Sequence, residues 1–141
     1  MRFLDASAVA KGYQVEQHST QVRAWLSAGD AAVSRVTEVE VASALGRLGR
    51  TGAVPVQRAQ AALTAFRADV VRWHVVELTP DVVSTAIRLL WGHALRAGDA
   101  IQLASALVLQ RELGQPLDAF VTYDRRLAAA ARDEQLTVIN N

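Results

Sequence analysis

Five short runs punctuate this chain: Arg2–Leu4, Ala32–Arg35, Val75–Leu78, Ala119–Thr122 and Thr137–Ile139. Four of them are clearly enriched in Val, Ile, Leu or Phe, as strands are. Helical patterns fill the gaps, and most carry their own stop or start signals. Gln17–Ala28 is closed by Gly29, and Glu38–Leu48 by Gly49 and Gly52. Val56–Val70 follows Pro55, and Asp81–Leu95 follows Thr79-Pro80, a cap and first-turn pair. Asp99–Leu113 stops at Gly114 ahead of Pro116, and Arg125–Glu134 is short and Ala-rich. Strands separated by helices argue for a parallel sheet covered on both faces. The expected fold is α/β, with a short parallel sheet of about five strands flanked by helices on both faces. At 141 residues, 51% hydrophobic and 21% charged, residues 1–141 suit one globular domain, with no repeat or linker dividing them.

Four acidic residues sit at junctions of this pattern. Asp5 ends the first apolar run, and Glu40 lies just after the second. Asp99 opens a helical segment, and Asp124 closes the apolar run before Arg125. In an open parallel sheet, the carboxyl ends of the strands and the following helix N-termini share one edge, where ligands bind. Four carboxylates gathered there repel one another unless a multivalent cation joins them, which makes a hydrolytic metal site the leading reading.

Each acid also has a structural explanation. Asp5 fits a cap for a short helix starting near Ser7. Thr37 and Glu40 fit the capping box Thr-x-x-Glu, in which the Glu returns to the cap's N–H. Asp99, after Gly98, fits an N-cap in a helix-Gly-helix junction, and Asp124 fits a cap for the helix at Arg125. A cap contributes only ~1 kcal/mol and accepts Ser, Thr or Asn as readily as Asp. An acid at four such places, beside apolar runs, carries a desolvation cost that a divalent ion with oxygen ligands offsets. Glu38 and Asp118 are rivals to Glu40 and Asp124. Glu40 is preferred because it adjoins the apolar stripe of its helix and shares a face with Ala44 and Arg47. Asp118 precedes its strand and belongs at the opposite edge.

The residues around these acids resemble PIN-domain ribonucleases. Phe-Leu-Asp-Ala-Ser-Ala-Val-Ala-Lys (3–11) looks like the first motif of that family, and Val-Glu-Val-Ala-Ser-Ala-Leu (39–45) is similar to the second. Leu-Arg-Ala-Gly-Asp-Ala-Ile-Gln-Leu-Ala-Ser-Ala-Leu (95–107) closely resembles the third, and Phe-Val-Thr-Tyr-Asp-Arg-Arg-Leu (120–127) the fourth. Order and spacing cover essentially the whole chain, and its length matches the VapC-type toxins of bacterial toxin–antitoxin pairs. The resemblance implies Asp5, Glu40, Asp99 and Asp124 as the acidic, metal-holding site. It implies Ser7 and Thr122 as hydroxyl partners that orient carboxylates or a metal-bound water, and it selects Asp124 over Asp118 through the Thr-x-Asp pattern. Gly98 departs from the bulkier residue the family often has there, and a looser helix junction is the expectation.

The resemblance further implies a metal-dependent endoribonuclease using Mg²⁺ or Mn²⁺, acting by in-line attack that leaves a 5′-phosphate and a 3′-hydroxyl. None of His18, His74 and His93 is needed as a base. The implied partners are an RNA substrate, a cognate antitoxin and a second copy in a homodimer. Gln17–Ala28 and Val56–Val70 carry apolar residues that serve either the core or such an interface, and Trp25, Trp73 and Trp91 read as core or interface residues.

The charge pattern suits a polyanion. Net charge is +1, but setting aside the four site acids leaves fifteen basic residues against ten acidic. Fourteen of the fifteen are Arg, whose fork matches phosphate, although codon bias in a GC-rich genome produces the same excess. Arg47 and Arg96, near the site acids, are the first candidates to hold an RNA backbone; a solvated helix face is their ordinary alternative. The N-terminus lacks the pattern of a secretory signal, no apolar stretch approaches a membrane span, and there is no Cys, so the expected location is the cytoplasm. Two other readings remain open. A non-catalytic binding module of the same fold would need an incomplete acid set. Asp5-x-Ser-x-Val also loosely resembles the nucleophile motif of haloacid-dehalogenase-like phosphohydrolases. Those carry a second Asp where this chain has Ser7 and a later site Lys, whereas Lys11 is the only lysine here.

Overall fold

The computed structural model describes residues 1–14 and 19–140. Its elements run β1 (Arg2–Leu4), α1 (Ala6–Gly12), α2 (Ser19–Ser27), β2 (Ala31–Ser34), α3 (Thr37–Arg50), α4 (Val56–Val70), β3 (His74–Val76), α5 (Pro80–Gly92), α6 (Ala97–Leu113), β4 (Ala119–Val121), α7 (Arg125–Asp133) and β5 (Val138–Ile139). The five strands form one all-parallel sheet in the order β3-β2-β1-β4-β5. The chain builds outward from β1 to β3, then crosses to the other side of β1 for β4 and β5. That reversal puts the topological switch point between β1 and β4, where open α/β sheets bind ligands beyond the carboxyl ends of the strands.

Side-chain alternation along the strands divides the core in two. Phe3, Ala32 and Phe120 face a layer packed by α5, α6 and α7, with Val82, Leu89, Leu103, Leu109 and Leu127. Leu4, Val33 and Val121 face the opposite layer, with Val9 of α1, Val22 of α2, Val41 of α3 and Phe66 of α4. Phe3 pairs with Phe120 across the β1–β4 register, and their rings stack at 5.7 Å between centroids. The cross-strand pair fixes these two strands side by side, and each of them ends in one of the acidic loops.

Several boundaries differ from the sequence expectation. β2 lies one residue earlier, and β3 starts one residue and ends two residues earlier, with pairing beginning at Ala31 and His74 and the Arg35 and Glu77 side chains forming an ion pair beyond the strand ends. α3 runs through Gly49 and stops at Thr51, with Gly52 at φ +76° making the turn. α5 ends at Gly92, since His93 is extended at φ −139° and ψ 148°. The start of the expected helix Gln17–Ala28, together with His18, lies outside the described residues; α2 is described from Ser19. Its Val22 and Leu26, and Phe66 and Val70 of α4, belong to the core rather than to a free face. Trp73 is core, while Trp25 is half-buried with the Arg2 guanidinium 5.8 Å above its ring. Trp91 stands 89% exposed on α5. No helix among the described residues is long and apolar enough to cross a membrane.

Candidate active site

Asp5 follows β1 and its peptide N–H donates to the carbonyl of Val121 at the end of β4, so the two strand ends are tied together at the switch point. The carboxylate is 2% exposed and fully engaged. Oδ1 accepts from Ser7 Oγ at 2.7 Å and from the Ala8 N–H at 2.9 Å, and Oδ2 accepts from Thr122 Oγ1 at 2.7 Å. Both hydroxyls are in turn held by the loop after β4. Ser7 Oγ accepts from the Tyr123 N–H at 3.0 Å, and Thr122 Oγ1 accepts from the Asp124 N–H at 3.1 Å. This gives the Asp-x-Ser and Thr-x-Asp patterns a physical reason: each hydroxyl relays a backbone donor of the β4 loop to the carboxylate of the β1 loop. Asp124 caps α7 by accepting from the Leu127 N–H at 2.8 Å. Asp5 and Asp124 therefore do cap their helices while also lying at the switch point.

The other two capping expectations are overturned. The residue before α3 is Val36, with no side-chain cap; Thr37 is already helical and fully buried, and its hydroxyl is taken by Gln102 Nε2 at 3.0 Å. Glu40 is thus not folded back onto the cap. The residue before α6 is Arg96, because Gly98 adopts helical geometry and the helix begins at Ala97. Asp99 falls in the first turn, its carboxylate free of capping duty and near the positive end of the helix dipole.

The structure brings Glu40, Asp99 and Asp124 onto one cleft, lined also by Ser43, Ala44, Arg47, Arg96 and Gly98. A second cleft shares Arg96, Asp99 and Asp124 with it and is completed by Ala94, Leu95, Arg125 and Arg126. Asp5 lies beneath these clefts rather than lining them. Glu38 points elsewhere, pairing with Arg35 at 2.7 Å, and Asp118 binds the terminal amine at the opposite edge. His74 is exposed on β3, and His93 caps α5 near Asp133.

Electrostatics mark the four acids as one coupled group. Burial pushes the Asp5 carboxyl up from 3.8 to about 6, against three hydrogen bonds that lower it, with the Asp99 charge adding to the rise. Burial also raises Glu40, whose hydrogen bond from Gln102 opposes the rise while Asp99 adds to it. Asp99 is raised by burial and then by Asp124, with Arg96 partly compensating. Unrelieved repulsion of this kind is what a cation removes. The donor set, carboxylates and hydroxyls only, suits a hard divalent ion. Among the described residues no three His, Asp or Glu side chains are drawn tightly enough to enclose an ion. The fit therefore lies in the chemistry of the donors. None of Glu40, Asp99 and Asp124 is committed to an ion pair among the described residues, so their charge is left for a cation to balance.

Three features of the site escape a reading of single residues. Gln102 is buried on α6 and donates to Thr37 and, at 3.5 Å, to Glu40 Oε2. A polar side chain inside Ala-Ile-Gln-Leu-Ala, three residues beyond Asp99, is the sequence signal for it. Arg125 and Arg126 line the second cleft, which needs the tertiary fold to be seen. Gly98 does not loosen the helix start; it makes room for Glu40, whose Oε1 would lie 2.7 Å from a Cβ at that position.

The sheet order and the acids at its switch point define a class, α/β proteins with a carboxylate cluster beyond strands β1 and β4. The PIN domain family model matches residues 2–133, and the chain belongs to that family. It is 34% identical over 138 residues to ribonuclease VapC47 of Mycobacterium tuberculosis, covering 94% of this chain and 91% of that protein. Its structure is similar to VapC20 of M. tuberculosis, a toxin described as cleaving the sarcin-ricin loop. The TM-score is 0.64 at 20% identity, over 92% of this chain and 95% of that one. It is also similar to a chain of a toxin–antitoxin complex from Klebsiella pneumoniae, with a TM-score of 0.58 at 18% identity over 91% of each chain. At those identities the two solved structures bear on the fold.

Proposed function

We propose that this protein, acting as one domain over residues 1–141, is a divalent-metal-dependent endoribonuclease and the toxin of a toxin–antitoxin pair. The observation that carries this reading is the convergence of Glu40, Asp99 and Asp124 on one cleft above the buried Asp5. The similarity to ribonuclease VapC47 over nearly the whole chain supports the reaction class. Asp5, Glu40, Asp99 and Asp124 would hold Mg²⁺ or Mn²⁺. Such an ion, when bound, lowers the pKa of water and stabilises charge on attacking and leaving oxygens.

The chain's own residues prepare the rest. Ser7 and Thr122 fix both oxygens of Asp5, so that carboxylate needs no reorganisation during the reaction. Asp124 is fixed through the Leu127 N–H and Glu40 is approached by the Gln102 amide, while Asp99 makes no side-chain hydrogen bond among the described residues. Water attacks phosphorus, the P–O3′ bond breaks, and the products carry a 5′-phosphate and a 3′-hydroxyl. A haloacid-dehalogenase-like route is disfavoured by burial: Asp5 is 2% exposed with both oxygens engaged, a poor nucleophile for a phosphate. The test is incubation of total cellular RNA with the purified protein. Cleavage with Mn²⁺, none in EDTA, and 5′-phosphate ends are expected; cleavage persisting in EDTA would overturn the reading.

The two clefts meet at Arg96, Asp99 and Asp124, with Arg47 at one flank and Arg125 and Arg126 at the other. We infer that a single RNA strand crosses this saddle, its flanking phosphates held by arginines on both sides. Each arginine that neutralises a phosphate steepens the salt dependence of binding by roughly 0.7 in the logarithmic slope for a single strand. Arg47→Ala and Arg126→Ala are each expected to raise KM, leave kcat nearly unchanged and flatten that slope by about this amount. An unchanged slope in both variants would rule out the saddle as the RNA path.

A cognate antitoxin that covers the clefts is the proposed partner, supported by the toxin–antitoxin complex among the similar structures. The product of an adjoining reading frame should then abolish cleavage when added in equimolar amount. A homodimer is supported by Val83, Ile87, Leu90 and Trp91, exposed along one stripe of α5. The expected solution mass is twice the 15.2 kDa of one chain. A cytoplasmic site of action belongs to the same reading.

A further inference from the structure

Glu40 reaches the first cleft from α3, and α6 shapes the space it enters. Gly98 and Gln102 stand four residues apart on α6 and so share a face. On one side of the carboxylate, a Cβ at Gly98 would lie 2.7 Å from Glu40 Oε1, a separation that side chains do not tolerate. On the other side, Gln102 Nε2 approaches Glu40 Oε2 at 3.5 Å and holds Thr37 Oγ1 at 3.0 Å. The amide does this while leaving its own oxygen buried with no hydrogen-bond partner. Buried polar atoms are ordinarily paired, so an orphaned acceptor here asks for a reason. Turning the amide over would aim that oxygen at a carboxylate, and the donor is kept toward Glu40 instead. Asp99 lies between Gly98 and Gln102 and repels Glu40, a long side chain that would otherwise swing toward water.

We propose that Gly98 and Gln102 are positioning residues, a two-sided clamp from α6 that holds Glu40 beside Asp99 for a divalent cation. The proposal rests on the reading of Glu40 as one of the cation-holding carboxylates. It gives the glycine at this position a role: it lets the backbone of α6 approach Oε1 while the amide one turn later restrains Oε2.

The test compares Mn²⁺ affinity, measured by electron paramagnetic resonance without RNA, with kcat, KM and thermal midpoint. In Gly98→Ala the conflict falls on the far end of a flexible side chain, so Glu40 moves while the helix gains a better helix former. Mn²⁺ affinity is expected to fall about tenfold, in the range that outer-shell changes produce. kcat should fall with KM little changed, and the thermal midpoint should hold or rise. Gln102→Leu is expected to lose the same affinity. In a Glu40→Gln background neither change should weaken Mn²⁺ binding further, because the group they position is gone. Wild-type affinity in Gly98→Ala, or the same loss repeated in the Glu40→Gln background, would overturn the clamp. Should Glu40→Gln alone leave Mn²⁺ affinity unchanged, the assignment of Glu40 fails and the clamp with it. A loss in Glu40→Gln without one in Gly98→Ala overturns the clamp alone.

Discussion

Asp99→Asn should lower RNA cleavage by at least about 10²–10³-fold, the scale on which removing a preorganised electrostatic group acts, while leaving the fold as stable as before. Asp99 stands at the centre of the acidic group: its charge raises both Asp5 and Glu40, and it is itself raised by Asp124. Removing its charge therefore subtracts from every pairwise repulsion that a cation would otherwise balance. Asn keeps the shape, and α6 does not depend on the Asp99 side chain for its start, since the cap position is Arg96 with no side-chain hydrogen bond. If Asp99 acted only as a cap, the opposite would be seen: a loss of ~1 kcal/mol of stability and unchanged activity. Cleavage rate and thermal midpoint measured on one preparation separate the two. An Asp99→Asn protein that retains wild-type metal-dependent cleavage would remove the central member of the proposed site.

Much of this arrangement is legible in the sequence, for reasons that differ from residue to residue. The strands announce themselves as short runs, mostly apolar, between helical segments, and parallel pairing follows from that alternation. Their order does not: nothing in the local pattern of Ala119–Val121 says that it pairs with β1 rather than adding beyond β3. The order rests on tertiary contacts such as Phe3 on Phe120. Asp5 and Asp124 are readable because capping and site geometry coincide at a strand-to-helix turn. Glu40 and Asp99 are readable as acids near junctions, but not their relation to the caps, because a helix start depends on which residue first becomes helical. Gly98 enters α6, which begins two residues ahead of the expected start, and Thr37 is drawn inside by Gln102. The clamp on Glu40 is illegible for the same reason, since it exists only where α3 meets α6. For α2 and α4 the sequence left core and interface open. Val22 and Leu26 of α2 and Phe66 and Val70 of α4 lie in the core, while Val83, Ile87, Leu90 and Trp91 of α5 are exposed.

Asp5 yields the second large effect, on stability rather than rate, because it is held charged where charge is costly. Its carboxyl is raised from 3.8 to about 6, chiefly by burial. Well below pH 3.8 the group is protonated in both folded and unfolded chains and contributes nothing to pH dependence. Between pH 4 and 6 the unfolded chain releases this proton while the folded chain keeps it. The unfolded state then binds fewer protons, and stability falls as pH rises through that window. A shift of this size amounts to about 3 kcal/mol lost by pH 7, at 1.36 kcal/mol per pKa unit. In EDTA, wild-type stability should therefore decline between pH 4 and 6 relative to Asp5→Asn, which has no such proton. Carboxylates remote from the site titrate alike in both proteins, so the difference reports Asp5 and the repulsion it shares with Asp99. Asn can keep the surrounding network: its oxygen accepts from Ser7 and Ala8, and the Thr122 hydroxyl reverses to accept from its amide. The variant is expected to be at least as stable as the wild type at pH 7 and to have lost cleavage. Adding Mn²⁺ at pH 7 should stabilise the wild type and do little for Asp5→Asn. Parallel stability curves for the two proteins from pH 4 to 6 would show that Asp5 is not held charged against its burial. A gain in stability coupled to a loss of function is what separates an acid kept for chemistry from one kept for the fold.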